Sequence, residues 1–203
     1  MSPLPTYPLA FTCPVGRDWR APSDEDCFNA WDRYAMPGHI RAHSLAVAEI
    51  ATAIAMRGLD LGYAVHVATV RASALLHDLA KDYTIRWGGS HAQLGAAWAM
   101  ELTGNPVLAQ GIAHHVWWPF PLDVPAFLMP MAVIYADKRV RHTEIVSIED
   151  RFSDLIVRYG HIAQSRENIR ANLEQTVELE RLLGQHLKVD LHACAFDRGR
   201  LVE

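Results

Sequence analysis

Residues 74–82 read ALLHDLAKD: three apolar residues, a histidine followed at once by an aspartate, and a lysine one turn later. With Val67 and Val70, the residues Ala74 and His77 line one side of a helix expected from about Tyr63 to Ala80, so His77 belongs to an inward stripe. Working outward, a helix opened by Pro37 and running to Gly58 sets His43, Val47, Ile50 and Ile54 at i, i+4, i+7 and i+11, which turns His43 inward too. Ser90 caps a further helix that runs through Leu102 and ends at Thr103-Gly104, and Asn105-Pro106 opens another through Val116.

Beyond this central set, Met1 to Pro22 carries scattered prolines and aromatics without a period and is expected as an extended arm. Ser23, followed by Asp24, Glu25 and Asp26, has the form of a helix start, with Phe28, Trp31 and Tyr34 at helical spacing. Pro119 to Pro125 reads as a loop, followed by a helix bearing Val133, Ile134, Asp137 and Val140 that Pro130 kinks or starts. Ser147-Ile148-Glu149-Asp150 is a capping pattern for a helix ending near Gly160, and an amphipathic stretch from His161 to about Lys188 follows, with Gly184 inside it. No segment alternates β-branched with polar residues. The expectation is an all-α fold, one domain over residues 23–203, with its C-terminal helices in 147–190 behind the arm at 1–22.

The chain has 203 residues, Lys+Arg 19 against Asp+Glu 23 and a formal net charge of -4. That balance offers no general attraction to polyanions, so binding of duplex nucleic acid is not expected. Cys13, Cys27 and Cys194 are widely spaced and include no CxxC pair, which supports neither a disulfide framework nor a cysteine zinc site and fits a reducing cytoplasm. No apolar run approaches the roughly 18 residues a membrane span requires, and the start lacks the order of a signal peptide. A cytoplasmic protein without a membrane partner is expected.

Histidine is enriched, at 11 residues. Separate inward-leaning helices each bring a potential metal ligand: His43, His77 with Asp78, His91, His114 with His115, and Asp137. Burying such groups unpartnered costs on the order of 2 to 7 kcal/mol for a neutral polar group and more for a charge. A shared cation removes that cost, and imidazole combined with carboxylate suits Fe, Mn, Co, Ni or Zn better than Ca or Mg.

The segments HSLAVAEIA, ALLHDLAKD, SHAQLGAAWAM, GIAHH and IYADK, in this order, resemble the motifs of the HD superfamily of metal-dependent phosphohydrolases, from about Gly38 to Val140. The resemblance implies a helical bundle with a metal site in its core. It makes His43 the first histidine, His77 and Asp78 the doublet and Asp137 the distal aspartate. In the two-metal branch it adds His91 and His114 for the second ion, with Asp78 bridging. The nearest flavour is the small HDIG-type hydrolases, among them symmetric diadenosine-tetraphosphate hydrolases, although the doublet here reads HDLAK instead of HDIGK. Lys81 resembles the family lysine that contacts the scissile phosphate, and His115 is assigned to substrate or to a neighbouring ligand. VWWPFPLDVP after the paired histidines lacks the GYP pattern of cyclic-di-GMP phosphodiesterases, which disfavours that activity.

The resemblance thus implies two divalent transition-metal ions that activate a bridging water against phosphorus, with Asp78 and Lys81 as the catalytic residues. The substrate is expected to be a nucleotide or other small phosphorylated molecule, with the oligomeric state left open. Two alternatives share the fold: a mixed-valence di-iron oxygenase with the same ligands, and a non-catalytic sensor module, which normally lacks several of them. Outside the motifs, His39, His66, His142, His161, His186 and His192 are expected as capping, core or surface residues. Trp117 and Trp118 either stack on a base or pack. Arg139, Arg141 and Arg151 either reach substrate phosphates or form solvated ion pairs.

Overall fold

The computed structural model describes residues 19–192, together with the backbone of 195–197 and 200–202. The arm expected at 1–22 lies outside the described residues as far as residue 18, as do Cys13 and Cys194; Cys27 is a free, buried cysteine. The fold is all-α, with helices supplying nearly all of the regular structure.

Helix α1 (Asp24–Arg33) starts at a complete capping box, in which Ser23 Oγ accepts from the Asp26 amide and the Asp26 carboxylate accepts from the Ser23 amide. It buries Cys27, Ala30 and Trp31, and the Trp31 indole donates to the Leu75 carbonyl at 2.9 Å, which ties it to the segment before the His-Asp doublet. Helix α2 (Gly38–Asp60) buries the expected stripe of His43, Val47, Ile50 and Ile54. Helix α3 (Val67–Leu76) is shorter than the expected span from Tyr63 to Ala80, because the His66 ring caps it by accepting from the Thr69 amide. After Leu76 the chain tightens: the Leu79 amide bonds the Leu76 carbonyl and the Lys81 amide bonds the Asp78 carbonyl, both across three residues. Adjacent residues on a regular helix point about 100° apart, and this tightened turn is what brings both His77 and Asp78 to one site.

A helix absent from the sequence reading, α4 (Lys81–Trp87), follows the turn and ends at Gly88 and Gly89, both with positive φ. Helix α5 (His91–Thr103) is capped by Ser90 and stopped by Gly104 in the left-handed region. Helix α6 (Pro106–Ala113), capped by Asn105, ends before the expected Val116. Helix α7 (Val124–Lys138) departs from helical geometry at Phe127, one turn ahead of Pro130, whose ring displaces the preceding turn and leaves the Ala126 carbonyl without its amide donor.

A hairpin of β1 (Val140–Arg141) and β2 (Glu144–Ile145) follows, turning at His142 with φ 58°. Strands this short leave no alternation to detect. Ser147 then caps α8 (Ile148–Tyr159), and α9 (Ala163–Leu187) packs along it and α7. A second hairpin pairs β3 (Ala195–Asp197) with β4 (Arg200–Val202). Among the described residues no helix is long and apolar enough to cross a membrane.

The core lies where α2 packs on α3 and α7, with α6 bridging α3 and α5. One glycine permits the approach, Gly111. At Gly95 a Cβ would only touch the Ile112 side chain and the His77 carbonyl, whereas at Gly111 it would collide with Ser73 Oγ and press on Met129 Sδ. Ser73 cannot move freely, because its hydroxyl donates to the Leu108 carbonyl inside the core. Gly111→Ala is therefore expected to destabilise the protein by about 1–3 kcal/mol through overpacking, against a near-neutral Gly38→Ala, where nothing stands within 4 Å; equilibrium denaturation of the two variants checks this.

Candidate metal centre

His43 comes from α2, His77 and Asp78 from the turn after α3, His91 from the first residue of α5, His115 from just beyond α6 and Asp137 from the last turn of α7. The resulting cluster is almost wholly buried, with His77 0% exposed, Asp78 1% and His115 1%. Three of the imidazoles are held alike. His43 Nδ1 donates to the His142 carbonyl at 3.0 Å, His77 Nδ1 to the Ala74 carbonyl at 2.7 Å and His115 Nδ1 to the Ile112 carbonyl at 2.8 Å. A carbonyl only accepts, so each ring keeps its proton on Nδ1 and turns Nε2 inward.

What Nε2 meets is oxygen. His43 Nε2 lies 3.1 Å from Asp137 Oδ1 and 4.0 Å from Asp78 Oδ2, and His77 Nε2 lies 3.4 Å from Asp78 Oδ2 and 3.8 Å from Asp137 Oδ1. On the other side of the same carboxylate, Asp78 Oδ1 stands 3.4 Å from His91 Nε2 and 3.7 Å from His115 Nε2, and those two nitrogens are 3.1 Å apart. Neighbouring ligands around one ion at about 2.1 Å stand about 3 Å from each other, so these separations suit donors to a shared cation. His77 Nε2 and Asp78 Oδ1 are each buried without a hydrogen-bond partner, as lone pairs turned to a cation would be. One group comprises His43, His77, Asp78 and Asp137 and the other Asp78, His91 and His115, with the two oxygens of Asp78 divided between them.

Electrostatics agree. Burial opposes ionisation of Asp78, but His77 and Lys81 outweigh it and hold the carboxyl well below its usual range. Burial opposes ionisation of Asp137 as well, and Lys138, the His43 hydrogen bond and Arg151 prevail. Both carboxylates are therefore charged. Burial pushes His91 down, and pushes His115 far down with help from His77 and His91, which keeps both rings neutral donors. His77 is raised because Asp78 and Asp137 overcome its burial, so the site demands positive charge where His77 Nε2 points.

Two lysines complete the frame. Lys81 Nζ donates to Asp78 Oδ2 at 2.6 Å with 30% of its side chain exposed, and Lys138 Nζ donates to Asp137 Oδ2 at 2.7 Å and to the His115 carbonyl at 3.2 Å with only 4% exposed.

His114 is not part of the cluster. It caps α6, and its half-buried ring packs edge-on against Trp118 and Phe120, at 5.4 and 5.9 Å between centroids. The ligand position expected for His114 is taken by His115, which had been assigned to substrate or to a neighbouring ligand. The end of α6 at Ala113 lets the His115 ring bond the Ile112 carbonyl, and no local sequence pattern separates the two adjacent histidines. Lys138, beside Asp137 in YADK, was also missed.

The other assignments resolve simply. His39, His142, His161 and His192 are exposed, His66 caps α3, and His186 pairs with the Tyr63 hydroxyl at 2.8 Å. Trp118 is a core residue whose indole donates to the Pro121 carbonyl, while Trp117 is exposed. Arg139 is buried in hydrogen bonds to the Val146 and Leu191 carbonyls, and Arg141 pairs with Glu144.

Among known proteins, the family model of the HD domain matches residues 40–155. A solved structure described as a predicted HD superfamily hydrolase, from an uncultured Thermotogales bacterium, is similar at 20% identity over 79% of this chain and 89% of that chain, with a TM-score of 0.44. No curated protein matches.

Removal of one ligand of a shared ion weakens its affinity by at least about tenfold. His115→Ala is accordingly expected to lower bound transition metal and Asp78→Ala to remove most of it, whereas His114→Ala and His66→Gln keep the wild-type content; elemental analysis of protein purified without chelators or an affinity tag reads all four, and metal lost from His114→Ala but kept in His115→Ala would reverse the assignment.

Proposed function

This chain belongs to the HD domain family, and from that premise we propose that it is a metal-dependent phosphohydrolase acting on the phosphoester or phosphoanhydride of a nucleotide or other small phosphorylated molecule. The observation that carries the reading is the set of buried Nε2 atoms turned onto two charged carboxylates, beside a lysine that reaches solvent. His43, His77, Asp78 and Asp137 would hold one divalent ion, and Asp78, His91 and His115 a second. Bound transition-metal ions supply Lewis acidity to a phosphoryl oxygen and acidify a nearby water.

The chain's own groups have separable tasks. Asp78 faces both ligand groups and keeps them in register. Lys138, held between Asp137 Oδ2 and the His115 carbonyl, leaves Asp137 Oδ1 turned to His43 and fixes the end of α7 relative to the end of α6. Lys81 differs because part of its side chain meets solvent, so its ammonium can take a substrate oxygen while Asp78 keeps its remaining partners. Charge builds on the phosphoryl oxygens and the leaving group as the bond to phosphorus breaks, and a preplaced ammonium stabilises that charge more than the ground state.

Lys81→Met is expected to retain the metals and lose turnover by roughly 10² or more, the scale of one electrostatic contact in a transition state. Protein loaded with Mn under anaerobic conditions is expected to go on releasing phosphate or nucleotide across a panel of small phosphorylated compounds. Activity that needs both iron and O₂ and is silent with Mn would falsify this reading in favour of oxidative chemistry.

A further inference from the structure

Arg151 stands in the first turn of α8, away from the segments that carry the doublet and its histidines, and it is only 7% exposed. Its guanidinium carries five N–H donors in a rigid fork and cannot shed its charge. Asp137 Oδ1 lies 3.7 Å from Nη2 and Asp154 Oδ2 lies 3.6 Å from Nη1, both beyond hydrogen-bonding reach, and the buried Nε has no partner. Both carboxylates are already engaged, Asp154 by Arg158 and Asp137 by His43 and Lys138. Arg139 shows the contrast: equally buried, it bonds the carbonyls of Val146 and Leu191. A buried guanidinium without an acceptor is costly, so Arg151 is poised for a partner that arrives.

Lys81 Nζ stands 2.6 Å from Asp78 Oδ2 and Arg151 Nη2 3.7 Å from Asp137 Oδ1, and His43 Nε2 lies 4.0 and 3.1 Å from those same two oxygens, so the two cations flank one pair of carboxylates. An anion shared between them replaces repulsion with attraction. We infer that Arg151 is a substrate-contact residue whose guanidinium takes phosphoryl oxygens and, with Lys81, forms a two-cation cradle for a terminal phosphoryl group. This rests on the phosphohydrolase reading and narrows its substrate class. A guanidinium fork engages two oxygens and the lysine a third, which a terminal phosphoryl group supplies and an internal phosphodiester, with two free oxygens, does not.

The probe is inorganic phosphate, titrated calorimetrically into the metal-loaded full chain. Arg151→Gln is expected to weaken phosphate by about tenfold or more while metal content stays unchanged, and Arg151→Lys to recover part of the loss. Asp154→Asn, which removes only the neighbouring carboxylate charge, is expected to leave the affinity within about twofold. Dimethyl phosphate, a diester probe, is expected to bind more weakly and to lose less on the Arg151 substitution; an equal loss overturns the terminal assignment. Wild-type phosphate affinity in Arg151→Gln, or loss of metal from it, overturns the inference and returns Arg151 to a structural role. If the glutamine variant does not fold, Arg151→Lys carries the test, since a point charge cannot reproduce the fork and should still lose several-fold in affinity. Phosphate bound equally by all variants sinks the Arg151 assignment alone, whereas a wild-type protein that binds no phosphate sinks the phosphohydrolase reading with it.

Discussion

Three imidazole rings give their Nδ1 proton to a main-chain carbonyl, and the rest of the molecule is arranged around that constraint. On a neutral ring with its proton on Nδ1, Nε2 can only accept, and at His43 and His77 it faces carboxylate oxygens that also only accept. Such an arrangement repels itself unless positive charge lies between the two sets of lone pairs. An ordinary buried His–Asp pair has the opposite polarity, with the ring N–H directed at the carboxylate. The orientation of the rings suits a metal centre, and the count of histidines only says where to look.

Holding those rings demands irregular backbone at particular places. His77 bonds the carbonyl three residues back because the chain leaves α3 at Leu76, and the same departure brings Asp78 round to the site. His115 repeats the device where α6 stops at Ala113. The carbonyl that orients His43 belongs to His142, which occupies the left-handed region at the tip of the hairpin between β1 and β2. A two-residue hairpin in an all-α protein thus has a defined task in the site. Gly111 keeps α6 close enough to α3 for rings from separate helices to meet around one carboxylate.

The long periodic elements were legible from the chain because burial and periodicity coincide there: α2 carries His43 on its apolar stripe, and α9 emerges within two residues of its expected ends. What escaped were features decided by a few main-chain bonds. His66 reads as one more helical residue until its ring is seen capping α3, and α4, seven residues with none buried, has no apolar stripe to announce it. The choice between His114 and His115 turned on where α6 stops, and periodicity does not resolve a single residue at a helix end. Pairings set by tertiary contact, such as Lys138 with the His115 carbonyl, join residues far apart in the chain and leave no local pattern.

Lys81 and Lys138 make nearly the same bond, an ammonium on one oxygen of a site carboxylate at 2.6 and 2.7 Å, yet their surroundings separate them. Lys138 is enclosed and has a second acceptor in the His115 carbonyl; moving it would strand a carboxylate oxygen, a carbonyl and a charge where water cannot replace them. Lys81 is partly solvated and sits on α4, which buries none of its residues, so its ammonium can change partner with water covering the difference. Arg151 adds a third case, a charge as buried as Lys138 but lacking hydrogen bonds of its own. The cations around the two aspartates thus fall into one that fastens the scaffold and two that remain available to an incoming anion.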